Sequence, residues 1–202
     1  MKEVIIGVLT VATLFLGRGL MTGGSNESFE TLLNIYGEPL ETCRNQVGDS
    51  GSWDSSGKCS EMDGGVHQIC INEIAKKAPK FSSKTGQSNW SDRRGNNNHC
   101  VCLGAWSLYN AKHKGVKNKK ILKCDAIPKN AFSEEYVSKF STWNGHEVDG
   151  QIKDGVEALF LNCYDKRKKN HKKMKHLRQN YCRFAKKLDV LKNSQVYKNN
   201  CL

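Results

Sequence analysis

Nine cysteines in a 202-residue chain limit what it can fold into more than any other feature. They are Cys43, Cys59, Cys70, Cys100, Cys102, Cys124, Cys163, Cys182 and Cys201. The N-terminus indicates which chemistry they meet. Lys2 precedes the apolar run Val4–Leu16, and small residues follow as far as Ser25. That run has the length of a signal-peptide core and falls short of the ~20 residues that cross a bilayer. Thr22 and Gly24 suit a signal peptidase, leaving Ser25 as the first mature residue; alternatively Arg18 snorkels and the segment stays as an anchor. Residues 1–24 are therefore expected to be a signal peptide or signal-anchor, routing the chain to the secretory pathway, outside the cell or on a membrane. There cysteines pair as disulfides, which brace small domains with thin cores. The odd count leaves one thiol over, and Cys201, next to the C-terminus, is the one expected.

Composition then sets size and class. Hydrophobic residues at 38% and aromatics at 8% suffice for one modest core. Eighteen Gly with only 3 Pro argue against a collagen-like or Pro-rich chain. A short helix is expected over 25–33, capped by Ser25 or Asn26, and turns and short strands from Asn34 to Gly65. Residues 66–74 read as a strand or a helix start, and 82–99 as a long polar loop. Cys100–Tyr109 reads as a buried element, helical from Leu103. Residues 119–127 read as a strand stopped by Pro128, and 131–141 as a helix opened by Ser133. Together these predict a small Cys-rich α+β domain over 27–145.

Beyond that domain the charge changes. Residues 150–202 hold 14 basic and 4 acidic side chains, against 18 and 16 in residues 1–149. Met174, Leu177, Tyr181, Phe184, Leu188 and Leu191 recur at spacings of 3, 4, 3, 4 and 3, the seam of an amphipathic helix. Residues 150–202 are thus predicted to be a basic helical extension, as one long helix or a pair split near Asn170.

Four segments carry a resemblance. They are Asn34-Ile-Tyr-Gly-Glu-Pro-Leu-Glu-Thr-Cys43, Gly57-Lys-Cys59, Asp63-Gly-Gly-Val-His-Gln-Ile-Cys70, and His99-Cys-Val-Cys102 with Trp106. In order and spacing, residues 34–110 resemble the small, mostly bacterial proteins grouped as domain of unknown function 2237. The resemblance implies an α+β fold and a shared polar cluster, and no activity. Asn96-Asn97-Asn98-His99 stands where that family has Gly-Asp-Arg-Trp, and Ala105 where it has Arg.

The chemistry-bearing residues are Cys43, Cys59, His67, Cys70, Cys100 and Cys102. Thiolates and imidazole are zinc ligands, and four converging would make a tetrahedral site, although no C-x-x-C pair is present. Disulfides among the same cysteines need no metal. Thiols with a redox role are the third reading, and Cys100 and Cys102 share a side if extended. His67 or His99 could activate a neighbouring thiol, with Asp63 the nearest carboxylate to His67. No catalytic residue stands out, since Glu134 and Glu135 read as charges favourable to a helix start. The loop Gly48-Asp-Ser-Gly51 lacks the Lys-Ser/Thr of a phosphate cradle.

The basic segment supplies Lys166, Arg167, Lys168, Lys169, Lys172, Lys173, Lys175 and Arg178 as candidate contacts to an anionic surface. A membrane or an acidic protein is the partner expected; nucleic acid fits the charge but not the compartment. The sequence thus points to a non-enzymatic, secreted or membrane-anchored binding or structural module. The alternative is a metal-binding or thiol-redox enzyme on the Cys/His cluster. No cofactor is called for apart from zinc in that alternative.

Overall fold

The computed structural model describes residues 32–44, 56–60, 66–113, 120–140, 142–165 and 170–202. The expected leader over 1–24, most of the expected helix over 25–33, Asp63, and Lys166 to Lys169 lie outside the described residues. The unit from Thr31 to Leu202 is mixed helix and strand. No described helix is long and apolar enough to cross a membrane.

Strand β1 (Ile69–Ile71) pairs antiparallel with β2 (His99–Val101), placing Cys70 opposite Cys100. All six residues are buried, and five of them are apolar, with His99 the exception. Between them run α1 (Ile74–Lys77), α2 (Phe81–Lys84) and a 3-10 turn, Ser91–Arg94. The stretch expected as a polar loop over 82–99 is therefore structured. A buried serine pair organises it. The Ser82 and Ser91 hydroxyls meet at 3.0 Å; Ser82 Oγ accepts from the Ser91 and Trp90 amides, and Ser91 Oγ from the Ser82 amide. Polar side chains that satisfy one another stand in for the apolar residues a core normally uses.

Immediately after β2 comes α3 (Leu103–Lys112), buried from Leu103 to Asn110. The strand expected over 119–127 is reduced to a single bridge, Ile71 with Leu122. The chain then turns into a 3-10 segment, Cys124–Ala126, because Cys124 is drawn into a disulfide with Cys163. A second 3-10 turn, Lys129–Phe132, leads to α4 (Glu134–Ser138), capped as expected by Ser133 accepting from the Tyr136 amide. The two-residue strands β3 (Thr142–Trp143) and β4 (His146–Glu147) follow.

Residues 150–202 are packed into this same unit. Helix α5 (Asp149–Cys163) lies against α3: Trp106 Nε1 donates to the Gly155 carbonyl at 2.9 Å, and the helices meet at Ser107 and Gly155. Helix α6 (His171–Ala185) buries Met174, Leu177, Tyr181 and Phe184, with Tyr181 stacked on Phe160 at 4.1 Å. Asn180 Nδ2 donates to the Ile35 carbonyl, and Tyr36 OH to that of Cys163, tying the two ends of the unit together.

The seam breaks after Phe184. Leu188 is extended (φ −113°, ψ 111°), and Leu191 is buried from a separate helix, α7 (Asp189–Lys192). The cause is covalent. Helix α8 (Gln195–Cys201) returns Cys201 to a disulfide with Cys182, Cα–Cα 5.5 Å, at a sequence separation of 19. On one continuous helix those residues would stand about 28 Å apart.

The α3–α5 contact has no spare volume. A Cβ on Gly155 would meet Ser107 Oγ at 2.0 Å and the Ser107 Cα at 3.0 Å. Gly155→Ala is expected to destabilise the oxidised protein by about 2 kcal/mol through overpacking. Urea denaturation measures this, and pairing it with Ser107→Gly should restore part of the loss.

Candidate functional site

Four disulfides form: Cys43–Cys70, Cys59–Cys100, Cys124–Cys163 and Cys182–Cys201. Such a set points to an oxidising environment. The cysteine outside them is Cys102, not Cys201 as the sequence suggested. The misreading has a physical source. Closeness to a terminus carries no information once a short helix folds the end back, whereas Cys102 is used as a helix cap. Its sulfur accepts the Ala105 amide at 3.4 Å at the start of α3.

Of the expected cluster, Cys43, Cys59 and Cys100 converge, their Sγ atoms all within 4.8 Å of one another. They converge as members of two adjacent disulfides. A disulfide sulfur is no thiolate, so zinc ligation there requires both bonds to be reduced first. Cys100 and Cys102 do not address one partner: the former bonds Cys59 and the latter caps α3.

His67, Cys100 and Cys102 line a cleft of about 400 Å³ together with His99. The same lining holds residues the sequence reading did not single out: Trp90, which precedes the 3-10 turn, Arg94 at its end, and Trp143 from β3. The Arg94 guanidinium lies over the Trp90 ring, 5.5 Å from its centroid. Trp90 in turn packs on His99, ring centroids 4.4 Å apart. Trp143 Nε1–H is buried and has no acceptor among the described residues. The spacing of Trp90 and Arg94, four apart in a polar stretch, was the one available sequence signal.

Electrostatically the cleft favours negative charge. His99 is only 5% exposed, and burial, reinforced by the Arg94 guanidinium and the nearby His67, lowers its pKa to about 3. It is neutral at physiological pH. Burial, with the neighbouring Cys102 adding to it, holds the Tyr136 phenol well above its ordinary value, so it stays protonated.

The expected cationic contacts divide. Lys173 is an internal tie, its Nζ 2.5 Å from Glu38 Oε2 and 2.9 Å from Asp125 Oδ1. Those carboxylates raise its pKa. Lys172, Lys175 and Arg178 are exposed along α6 and make no ion pair among the described residues.

No family model matches the chain, and neither a curated protein nor a solved structure matches it. Functional reasoning therefore starts from this geometry.

His99 makes the fold acid-sensitive. Its folded-state pKa lies below the unfolded value, so the unfolded chain binds the proton first. The stabilisation is complete above about pH 6.5 and is lost as the pH falls towards about 3. His99→Gln should flatten that part of the stability–pH profile. The native His99 ring should show no NMR titration step near neutrality.

Proposed function

We propose that this chain is a disulfide-braced, non-enzymatic binding module of the secretory pathway or the extracellular space, whose cleft holds a small planar anion. The observation that carries the reading is Arg94 laid over Trp90 at the cleft. The indole holds the guanidinium over its ring, and a guanidinium so placed suits a planar group bearing a carboxylate or phosphate. Trp143 Nε1–H adds a donor that an anionic oxygen would satisfy. The neutral state of His99 keeps the wall from carrying more charge than one ligand anion balances. Four disulfides support the compartment, and the apolar run Val4–Leu16 read as a signal peptide or anchor agrees with it.

Titration of the full chain with aromatic carboxylates, nucleoside monophosphates and their neutral isosteres, read by calorimetry, tests this. The anionic members should bind, and removing the charge from the ligand or making Arg94→Ala should weaken binding about tenfold, ~1.4 kcal/mol. The melting temperature of Arg94→Ala should stay near that of the parent. Equal binding of charged and neutral isosteres would refute the reading.

A second surface has its own support. Lys172, Lys175 and Arg178 fall at i, i+3 and i+6, on one exposed side of α6. This side suits an anionic lipid surface, with each cation contributing ~1 kcal/mol near the headgroups. Pelleting with phosphatidylserine vesicles should fall on raising salt and be lost in the K172E/K175E/R178E variant, whereas phosphatidylcholine vesicles should not bind. Unchanged pelleting of the variant would exclude this face.

A further inference from the structure

Cys70 and Cys100 sit directly opposite each other across β1 and β2, yet each is bonded elsewhere, Cys70 to Cys43 and Cys100 to Cys59. Opposed residues of an antiparallel pair have Cα atoms roughly 4.5–5.5 Å apart, inside the range a disulfide spans. The segments carrying Cys43 and Cys59 are also neighbours, since the Cys43 amide donates to the Gly57 carbonyl at 2.8 Å. Asn98 Nδ2 holds the Cys43 carbonyl at 2.8 Å, fixing that segment against the start of β2. The Sγ atoms of Cys43, Cys59 and Cys100 lie mutually within 4.8 Å, and Cys70 is bonded to the first and faces the last across the strand pair, so these four cysteines admit two pairings. One is the pairing present; the other is Cys43–Cys59 with Cys70–Cys100.

A fifth sulfur completes the set. Cys102 lies two residues beyond Cys100 in extended backbone (φ −79°, ψ 160°), lines the same cleft, and is outside any disulfide. The Ala105 amide directs its N–H at that sulfur, which stabilises negative charge there. We propose that Cys102 is the nucleophile of an internal thiol–disulfide exchange that interconverts the two pairings.

The steps balance without an outside oxidant or reductant. Cys102 gives its proton to cleft water, and the thiolate attacks Cys100 Sγ. This forms Cys100–Cys102 and expels the Cys59 thiolate. Cys59, already beside Cys43, attacks it, forming Cys43–Cys59 and expelling the Cys70 thiolate. Cys70, facing Cys100 across the strand pair, attacks Cys100; the bond Cys70–Cys100 forms and the Cys102 thiolate returns to take up a proton. Two disulfides are present before and after, and no electrons are gained or lost. The exchange moves the tether of the Cys59 segment from β2 to Cys43 and staples β1 directly to β2. Because Cys100 lines the cleft, the cleft wall changes with the pairing. The inference needs only the cysteines and is independent of what the cleft binds.

Peptide mapping of the unreduced protein, quenched by acid and alkylated, tests it. Full-length protein held at mildly alkaline pH with no added thiol should come to carry both pairings, while Cys124–Cys163 and Cys182–Cys201 stay intact. In Cys102→Ser the interchange should be about tenfold slower or absent, and a trace of reduced glutathione should restore it. Cys43→Ser tests the geometry separately: its released Cys70 should displace Cys59, giving Cys70–Cys100 and an alkylated Cys59. Parent protein confined to one pairing, equal rates in Cys102→Ser, or scrambling that reaches all four bridges would each overturn the proposal.

Discussion

The structure depends on sulfur bonds that anchor a strand pair too small to hold itself. β1 and β2 are three residues each, and two such strands alone are marginal in water. Cys43–Cys70 and Cys59–Cys100 close loops of 27 and 41 residues onto their two central positions. In the chain-entropy account each bridge contributes on the order of 3–4 kcal/mol by restricting the unfolded chain. With the strands fixed, Cys102 is held where it can cap α3, and α3 then supplies the buried surface on which α5 packs.

The cleft follows from that arrangement. It is lined from the end of β2, from the 3-10 turn that the Ser82–Ser91 pair holds in place, and by Trp143. Positions are therefore set by elements whose own stability comes from elsewhere. This is how a lean domain can keep arginine, two histidines and two tryptophans around one recess beside Phe81, Val101 and Ala105.

The sequence made some of this legible and hid the rest for identifiable reasons. Local signals held: Ser133 caps α4, Leu103 opens α3, and a break falls near Asn170 between α5 and α6. Disulfides among Cys43, Cys59, Cys70 and Cys100 were also legible as a class, but which distant residue each side chain meets was not. Leu188 and Leu191 match a helical seam in spacing, but the Cys182–Cys201 bond forces the chain to turn back between Phe184 and Leu191. Within residues 150–202 the charge describes the outer side of α6, and the seam Met174, Leu177, Tyr181 and Phe184 describes its inner side, which is core. Lys173 looked like its neighbours along the chain, yet Glu38 and Asp125 claim it from 135 and 48 residues away. Trp90, Arg94 and Trp143 come together only through the fold.

The bridge between Cys182 and Cys201 has one more effect, on what becomes of the chain after synthesis. It encloses the exposed dibasic step Lys186–Lys187, along with Lys192 and Lys198. A protease that cuts after lysine there produces two polypeptides still joined by sulfur. A single such cut adds only a water molecule to the mass of the particle, and the C-terminal piece departs only when the bond is reduced.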